Sequence, residues 1–397
     1  MDGLLSKLRR VQDVPVEGKT AVIRVDYNVP LKDGGVGDDA RIRSSLPTIE
    51  ELLNRGAKIV LMSHLGRPEG KVVPELRLDP VARRLKELLD RDVHKLDDCI
   101  GDEVKAAIDA GEAGDVFLLE NLRFHPEETA DDSQFAHQLG LLGDIYVNDA
   151  FATIHRAHAS TLGICDHLPS CAGLLIQKEV GALSRLIDEP ERPYIAVVGG
   201  KKARSKLQAL RDLIDRVDVA LVGGGVAFTF LRAKGYLVGN SVVDESLVEE
   251  IKELIRIAHE KGVLIALPHD VIAAQELSDQ AETITCRAEQ IPTGWMGLDI
   301  GPETVGKFSE EIAKAKTVVW TGPMGAFETE RFSEGTKGVA EALAASQAFT
   351  VVGGGETGEA LAKLETAEGI SYISTGGGAC LALLRGKTLP ALEALQD

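Results

Sequence analysis

One pattern runs through the whole chain. A short, nearly unbroken run of β-branched and apolar residues ends in a break rich in glycine, asparagine or charge, and a longer stretch follows whose apolar residues recur every three or four positions. The runs, interrupted only by Arg24 and opened in one case by Lys58, are 21–25, 58–62, 116–119 and 145–147, then 195–198, 219–222, 263–266, 318–320, 350–352 and 372–374. Continuous apolar runs of this length predict strands buried on both faces. Ile42, Leu46, Ile49 and Leu53 mark one face of a helix beginning near Arg41. Val81, Leu85, Leu88 and Leu89 mark a second helix, with Asp79-Pro80 as its N-cap and first-turn pair. Leu207, Leu210, Ile214 and Val217 mark a third over 203–216, and 294–303, punctuated by glycine, reads as a connection into a helix. Strands alternating with helices predict an α/β fold of parallel, doubly wound sheets, whose ligands gather outside the carboxyl ends of the strands.

A chain of 397 residues exceeds what one core usually organises, so two domains are expected. The natural break follows the apolar-periodic stretch 174–187, at Asp188-Glu-Pro-Glu-Arg-Pro193. The expected division is 1–172 together with a tail 386–397, a connecting helix within 173–189, and a second domain over 190–385. The net charge of −18 disfavours nucleic acid and anionic membranes as partners, and an anionic ligand must then meet a local basic patch. The cysteines at 99, 165, 171, 286 and 380 are odd in number and lack CxxC or Cys/His zinc spacing, which points to free thiols in a reducing compartment. With no signal-like or membrane-length apolar stretch, the expectation is a cytoplasmic, soluble monomer.

The breaks carry the chemistry. In the first half the runs end in Asp26-Tyr-Asn28, Ser63-His64-Leu-Gly-Arg67, Glu120-Asn-Leu-Arg123 and Asn148-Asp149, the last followed by His155-Arg156. On a parallel sheet these breaks share one edge, and Arg41 joins them from the start of its helix. Planar guanidinium forks from several segments suit one small polyanion, and Asp26 and Asn28 suit hydroxyls. The second half has few arginines at its strand ends and many glycines: Gly199-Gly200, Gly223-Gly-Gly225, Gly322, Gly325, Gly353-Gly-Gly355 and Gly376-Gly-Gly378. Such edges let a phosphate chain and a flat base approach the backbone. Lys202 and Lys206, four apart at the start of a helix after Gly199-Gly200, form a phosphate-handling turn.

Familiar nucleotide motifs do not fit. Gly353-x-Gly355-x-x-Gly358 lacks the later acidic residue that a dinucleotide fingerprint needs, and Gly18-Lys-Thr20 and Gly386-Lys-Thr388 lack the first glycine of a P-loop. An anion pocket in one half and a nucleotide pocket in the other suggest phosphoryl transfer, which rests on positioning and charge neutralisation. No obvious nucleophile–base pair is visible, which is consistent with such transfer provided the acceptor is a carboxylate, already deprotonated and in need of no base.

RVDYNVP (24–30), SHLGRP (63–68), ENLRFH (120–125), HRAHAS (155–160), GGGVAFTFL, GLDIGPET, GPMGAFE and STGGGA, in this order, resemble the phosphoglycerate kinase family over almost the whole chain. The resemblance implies two Rossmann-like domains joined by a hinge helix, with a cleft between them closed by hinge bending. One domain would bind 3-phosphoglycerate, the other ATP or ADP with Mg²⁺, for reversible transfer of a phosphoryl group to the substrate carboxylate in glycolysis and gluconeogenesis. It implies that Asp26 and Asn28 hold the hydroxyl and carboxylate end of the acceptor, and that His64, Arg67, Arg123 and Arg156 hold its phosphate. Arg41 and Lys202 would act on the transferring group and Lys206 on the α-phosphate. Gly199, Gly224, Gly225, Gly297 and Leu298 would border the adenine, Glu328 the ribose, and Gly354, Gly355, Glu356 and Thr357 the phosphates, with Glu356 near Mg²⁺.

The chain departs from the family pattern at a few places. Gly199–Lys206 reads GGKKARSK where GGAKVxDK is common, so Lys201 and Arg204 add charge and Ser205 replaces an aspartate. Thr321 stands for asparagine, Glu356 for aspartate, and Ala152 and Ile154 alter FGTAHR. Two other functions stay open on the sequence: a kinase for another small carboxylate, and a nucleotide-binding regulator without catalysis.

Overall fold

The structure, a computed structural model, describes residues 4–386 and 389–396. The chain divides into two compact units, residues 1–184 with 387–397, and residues 185–386. The expected tail 386–397 and the Gly386-Lys-Thr388 triplet fall partly on 387, 388 and 397, outside the described residues.

The first unit is built on β1 (Thr20–Arg24), β2 (Lys58–Met62), β3 (His94–Lys95), β4 (Val116–Leu118), β5 (Ile145–Asn148) and β6 (Ser170–Ala172). They form a six-stranded sheet in the order β3-β4-β2-β1-β5-β6, and every pairing is parallel. The inner strands are buried on both faces, which is why their sequences run almost wholly apolar without alternation, whereas the edge strand β3 is partly exposed. Val22, Ile23, Leu61 and Val147 are fully buried, as are Ile42, Ile49 and Leu52 of α1 (Ala40–Asn54). The strand order reverses between β1 and β5, so the loops after β1, β2, β4 and β5 open at one edge. In the described C-terminal segment Leu395 O accepts from Arg9 N at 2.9 Å, which ties that segment to the first unit.

Helix α2 spans Asp79–Leu89, with Leu78 at the N-cap. Asp79 is therefore the first helical residue and not the cap. The cap position is held instead by Glu120, whose Oε1 accepts from Leu78 N at 2.9 Å. Helix α3 (Leu174–Ile187) follows β6, and the division between the units falls near its C-terminal end.

The second unit repeats the plan. Strands β7 (Tyr194–Val198), β8 (Val219–Val222) and β9 (Leu264–Ala266) are followed by β10 (Asp270–Ala274), β11 (Thr283–Arg287) and β12 (Met296–Ile300), then β13 (Thr317–Thr321), β14 (Phe349–Gly353) and β15 (Tyr372–Ser374). The main sheet is parallel, ordered β9-β8-β7-β13-β14-β15, and reverses between β7 and β13. Strands β11-β10-β12 form a separate antiparallel sheet. The segment 294–303 thus holds strand β12 at Met296–Ile300 and then enters a helix, Pro302–Lys314, as expected. Gly297 lies within β12 because Phe228 fills its side-chain space: a Cβ there would stand 2.3 Å from the ring. Helices α4 (Ala203–Leu213), α5 (Gly224–Ala233) and α6 (Gly355–Lys363) begin at the glycine-rich ends of β7, β8 and β14. Among the described residues no helix is long and apolar enough to cross a membrane.

Candidate active site

In the first unit the expected polyanion residues meet at the edge where the strand order reverses. Asp26 and Asn28 follow β1, His64 and Arg67 follow β2, Arg123 follows β4, Arg156 follows β5, and Arg41 lies in the first turn of α1. A network of short bonds fixes these loops. Asp26 Oδ2 accepts from Arg41 Nη1, Asn28 Oδ1 accepts from Gly66 N at 2.8 Å, and Gly66 O accepts from Arg123 Nη1 at 2.9 Å. Buried Asn121 locks the same corner, donating from Nδ2 to Leu65 O at 2.8 Å while its Oδ1 accepts from Arg123 N at 3.1 Å.

Arg67, Arg123 and Arg156 line one cavity of about 500 Å³, together with His125 and His158. Arg123 Nε is buried there without a partner, a donor that an incoming anion would satisfy. Burial, then the charges of Arg156 and Arg24, push the Arg123 guanidinium down to about 10, so it remains a cation at neutral pH.

His64 is buried and faces several cations. Burial first, and then the charges of Arg24, Arg123, Arg156 and Arg41, hold its imidazole well below the ordinary histidine range. The Arg24 guanidinium has no acceptor atom, so Arg24 Nη2 donates to His64 Nδ1 across 3.1 Å. That bond places the single ring proton on Nε2 and makes His64 a neutral donor. Arg24 is fully buried at the end of β1. Its Nε donates to Ser160 Oγ at 2.9 Å, and Ser160 Oγ in turn donates at 2.6 Å to Glu128 Oε1, on a side chain with no exposed surface. Neither Arg24 nor Glu128 was singled out by spacing, because the partners lie on distant segments.

In the second unit the reversal point lies between β7 and β13, and three glycine loops meet there. Gly199 N donates to Thr321 O at 2.9 Å, Gly200 N to Pro323 O at 2.7 Å, Gly224 N to Met324 O at 3.0 Å, and Val226 N to Gly200 O at 2.9 Å. A Cβ on Gly199 would stand 2.2 Å from Pro323 O, and one on Gly224 2.5 Å from Gly200 N. These two glycines pack backbone on backbone behind the cavity wall. The cavity itself, about 340 Å³, is lined by Gly225, Gly297, Leu298, Glu328 and Glu356 among the expected residues. It also takes Phe228, Pro323 and Phe327, which sit inside the quoted GGGVAFTFL and GPMGAFE segments and give it apolar walls suited to a flat ring.

Both lysines are held beside it. Lys206 is buried, and its Nζ donates to Thr321 Oγ1 at 2.9 Å. Burial lowers the Lys206 ammonium below its ordinary range, a shift that Glu356 opposes and Lys202 reinforces. Lys202, at the N-cap of α4, places Nζ 3.1 Å from Glu356 Oε1. Glu356 lies in the first turn of α6, whose N-cap is Gly354 at φ 115°. The leading N–H groups of that helix, from Gly355 onward, have no acceptor within the helix and favour anions. Thr357 faces inward and fully buried, its Oγ1 accepting from Gly322 N at 2.7 Å. One half-buried carboxylate beside phosphate-directed donors fits Mg²⁺, which takes one or two carboxylates and completes its shell with water and substrate phosphate.

A sequence profile of the family described as phosphoglycerate kinase matches residues 11–387. The chain belongs to the phosphoglycerate kinase family. A phosphoglycerate kinase of Moorella thermoacetica is 51% identical over 387 residues, covering 98% of each chain. One of Prosthecochloris aestuarii is 50% identical over 394 residues, covering 98% of this chain and 99% of the other. Among solved structures, the phosphoglycerate kinase of Coxiella burnetii superposes with a TM-score of 0.87 at 41% identity, covering 98% of both chains. That of Pyrococcus horikoshii gives 0.87 at 36% identity, covering 97% of this chain and 98% of the other. Membership makes the chain an enzyme, a phosphotransferase of the kinase class, with phosphoglycerate kinase chemistry and the α/β architecture of the family.

Proposed function

We propose that the basic cavity of the first unit binds 3-phosphoglycerate and the glycine-lined cavity of the second binds ATP or ADP, with Mg²⁺ held by the nucleotide phosphates and Glu356. The observation that carries this reading is the buried, unpartnered Nε of Arg123 in a cavity shared with Arg67 and Arg156. A buried donor among cations is costly until an anion fills the site.

In this reading Arg67, Arg123 and Arg156 grip the phosphate end of the acceptor, and His64 donates from Nε2 to the same ligand. Asp26 and Asn28 fix the hydroxyl and carboxylate end. A carboxylate oxygen attacks the γ-phosphorus, its bond to phosphorus forms as the β–γ bridging bond breaks, and ADP leaves with the electron pair. No proton moves, so no general base is needed. Arg41 and Lys202 stabilise the charge spread over the transferring oxygens, and Lys206 with the first turn of α6, Gly354 to Thr357, holds the remaining phosphates. Bound with the nucleotide, Mg²⁺ supplies further neutralisation of phosphate charge. The units close about α3 for transfer, and the enzyme acts as a monomer in the cytoplasm, a reducing compartment in keeping with five cysteines outside any disulfide.

A coupled assay with ATP and Mg²⁺ tests this, comparing 3-phosphoglycerate with glycerate. Turnover requiring both the acceptor phosphate and Mg²⁺ is expected. Equal turnover with glycerate would remove the arginines from the acceptor site.

A further inference from the structure

Behind the first unit's basic cavity, whose lining includes His125, three side chains of different chemistry converge. Asp98 and Cys99 lie in the loop after β3, and His125 caps the short helix Pro126–Ala130. One ligand atom from each, a carboxylate oxygen, a sulfur and a ring nitrogen, lies within 4.8 Å of the other two. His125 Nε2 is 2.7 Å from Asp98 Oδ1, and the Cys99 thiol turns towards the same carboxylate. Cys99 is fully buried, whereas the Asp98 side chain is 52% and that of His125 26% exposed. The sulfur therefore forms the floor of a site whose other two ligands reach solvent.

We propose that Asp98, Cys99 and His125 form a binding site for a divalent ion of the zinc class. Mixed O, S and N donors suit a borderline-soft ion in tetrahedral coordination, with water in the fourth position. Tetrahedral bonds of about 2.0–2.3 Å put ligand atoms about 3.3–3.8 Å apart, so His125 Nε2 and Asp98 Oδ1, now at 2.7 Å, would part slightly to admit the ion, with the sulfur within 4.8 Å of both. Glu127 acts on His125 and Glu128 on Cys99, whereas the arginines share only the cavity lining with His125. Binding expels the thiol proton and any proton on His125 Nε2, so it releases protons to the buffer. The absence of Cys/His zinc spacing in the sequence does not count against the site. Its ligands come from two loops that only the fold brings together.

The test is a cobalt titration of the chelator-treated full-length enzyme, without nucleotide or acceptor, with Zn²⁺ added afterwards as competitor. One equivalent of Co²⁺ is expected to give a thiolate-to-cobalt charge-transfer band that Zn²⁺ abolishes. The band should vanish in Cys99→Ser, and Asp98→Asn should bind about 10-fold or more weakly. Turnover of both variants should match that of the unaltered enzyme. No band at one equivalent, or a band persisting in Cys99→Ser through Cys165 or Cys286, would overturn the proposal. Should Cys99→Ser not fold, Asp98→Asn decides alone, because its side chain is exposed and isosteric: unchanged affinity rejects the site.

Discussion

Glu128 and Arg24 both lack exposed surface, and Ser160 bridges them by bonds of 2.9 and 2.6 Å. The carboxylate takes a second bond from Ser160 N at 2.9 Å and lies 3.6 Å from His158 Nδ1. Glu128→Gln keeps the shape and an acceptor for Ser160, but it leaves the Arg24 guanidinium buried without its countercharge. Removing one partner of a buried charge pair costs about 3–5 kcal/mol. Arg24→Met should cost a similar amount by stranding Glu128. If the two charges stabilise each other, the double variant should cost less than the sum of the single ones by about 2 kcal/mol or more. Urea denaturation of the four proteins reads this as midpoint shifts.

Acid adds a second handle. Burial pushes the Glu128 carboxyl up, but the nearby His158 ring, the charge of Arg24 and the Ser160 bond outweigh it, and the net shift is downward. A depressed carboxyl contributes stability that is complete above its unfolded value of about 4.3 and is lost as pH falls through the lower folded value. The acid limb of the stability profile should therefore be shallower in Glu128→Gln. Single variants costing under about 1 kcal/mol, or strict additivity in the double, would refute the coupling. Arg24→Met should also raise the KM for the acceptor, because His64 Nδ1 loses the donor that fixes its tautomer.

Four further outcomes are expected. Arg41→Ala and Lys202→Ala should each lower kcat by about 100–1000-fold with KM within a few-fold, read by steady-state kinetics; a KM effect alone would contradict their roles. Arg123→Ala should weaken acceptor binding by about 10–100-fold in calorimetry, the loss of one or more charge-assisted bonds. Gly322→Ala should cost at least about 2 kcal/mol in thermal unfolding, because φ is 87° there and a Cβ would stand 2.2 Å from Gly199 O. Asp149, pushed up to about 7 by burial against the bonds of Thr48 and Leu175 N, binds its proton more tightly in the folded state. Its stabilisation is complete below about pH 4 and lost as pH rises to about 7. Thermal unfolding of Asp149→Asn should lack that decline.

The parallel sheets were legible because central strands buried on both faces are apolar at almost every position, as Ile23, Leu61 and Val197 are, with Arg24 the exception at the end of β1. The antiparallel sheet was not. Its strand β12 contains Gly297, and local sequence cannot reveal that a distant ring, Phe228, takes the place of the missing side chain. Asp79 looked like a cap because cap preference is local, yet the carboxylate beside Leu78 N comes from Glu120, 42 positions on. The residues expected at the sites were found in chemically distinctive breaks. The supports behind them, Glu128 behind Arg24 and Thr321 behind Lys206, are set by tertiary contact and carry no signal at fixed spacing.

These supports have a consequence for how the sites work. A pocket lined by several arginines repels its own charges, and a histidine that gained a proton there would add to the strain. Arg24 prevents this by occupying Nδ1, so in the proposed site His64 meets the acceptor as a neutral donor. Arg24 is a further buried cation, and Glu128 balances it from the side away from solvent. In the second unit the bond to Thr321 fixes the Lys206 ammonium, and Glu356 stands 3.1 Å from that of Lys202. Donors fixed in this way need little reorganisation when phosphate charge arrives, and fixed donors are worth most where charge develops during transfer. The demand on the fold is therefore heaviest at residues that touch no substrate, and the double variant of Arg24 and Glu128 measures that demand directly.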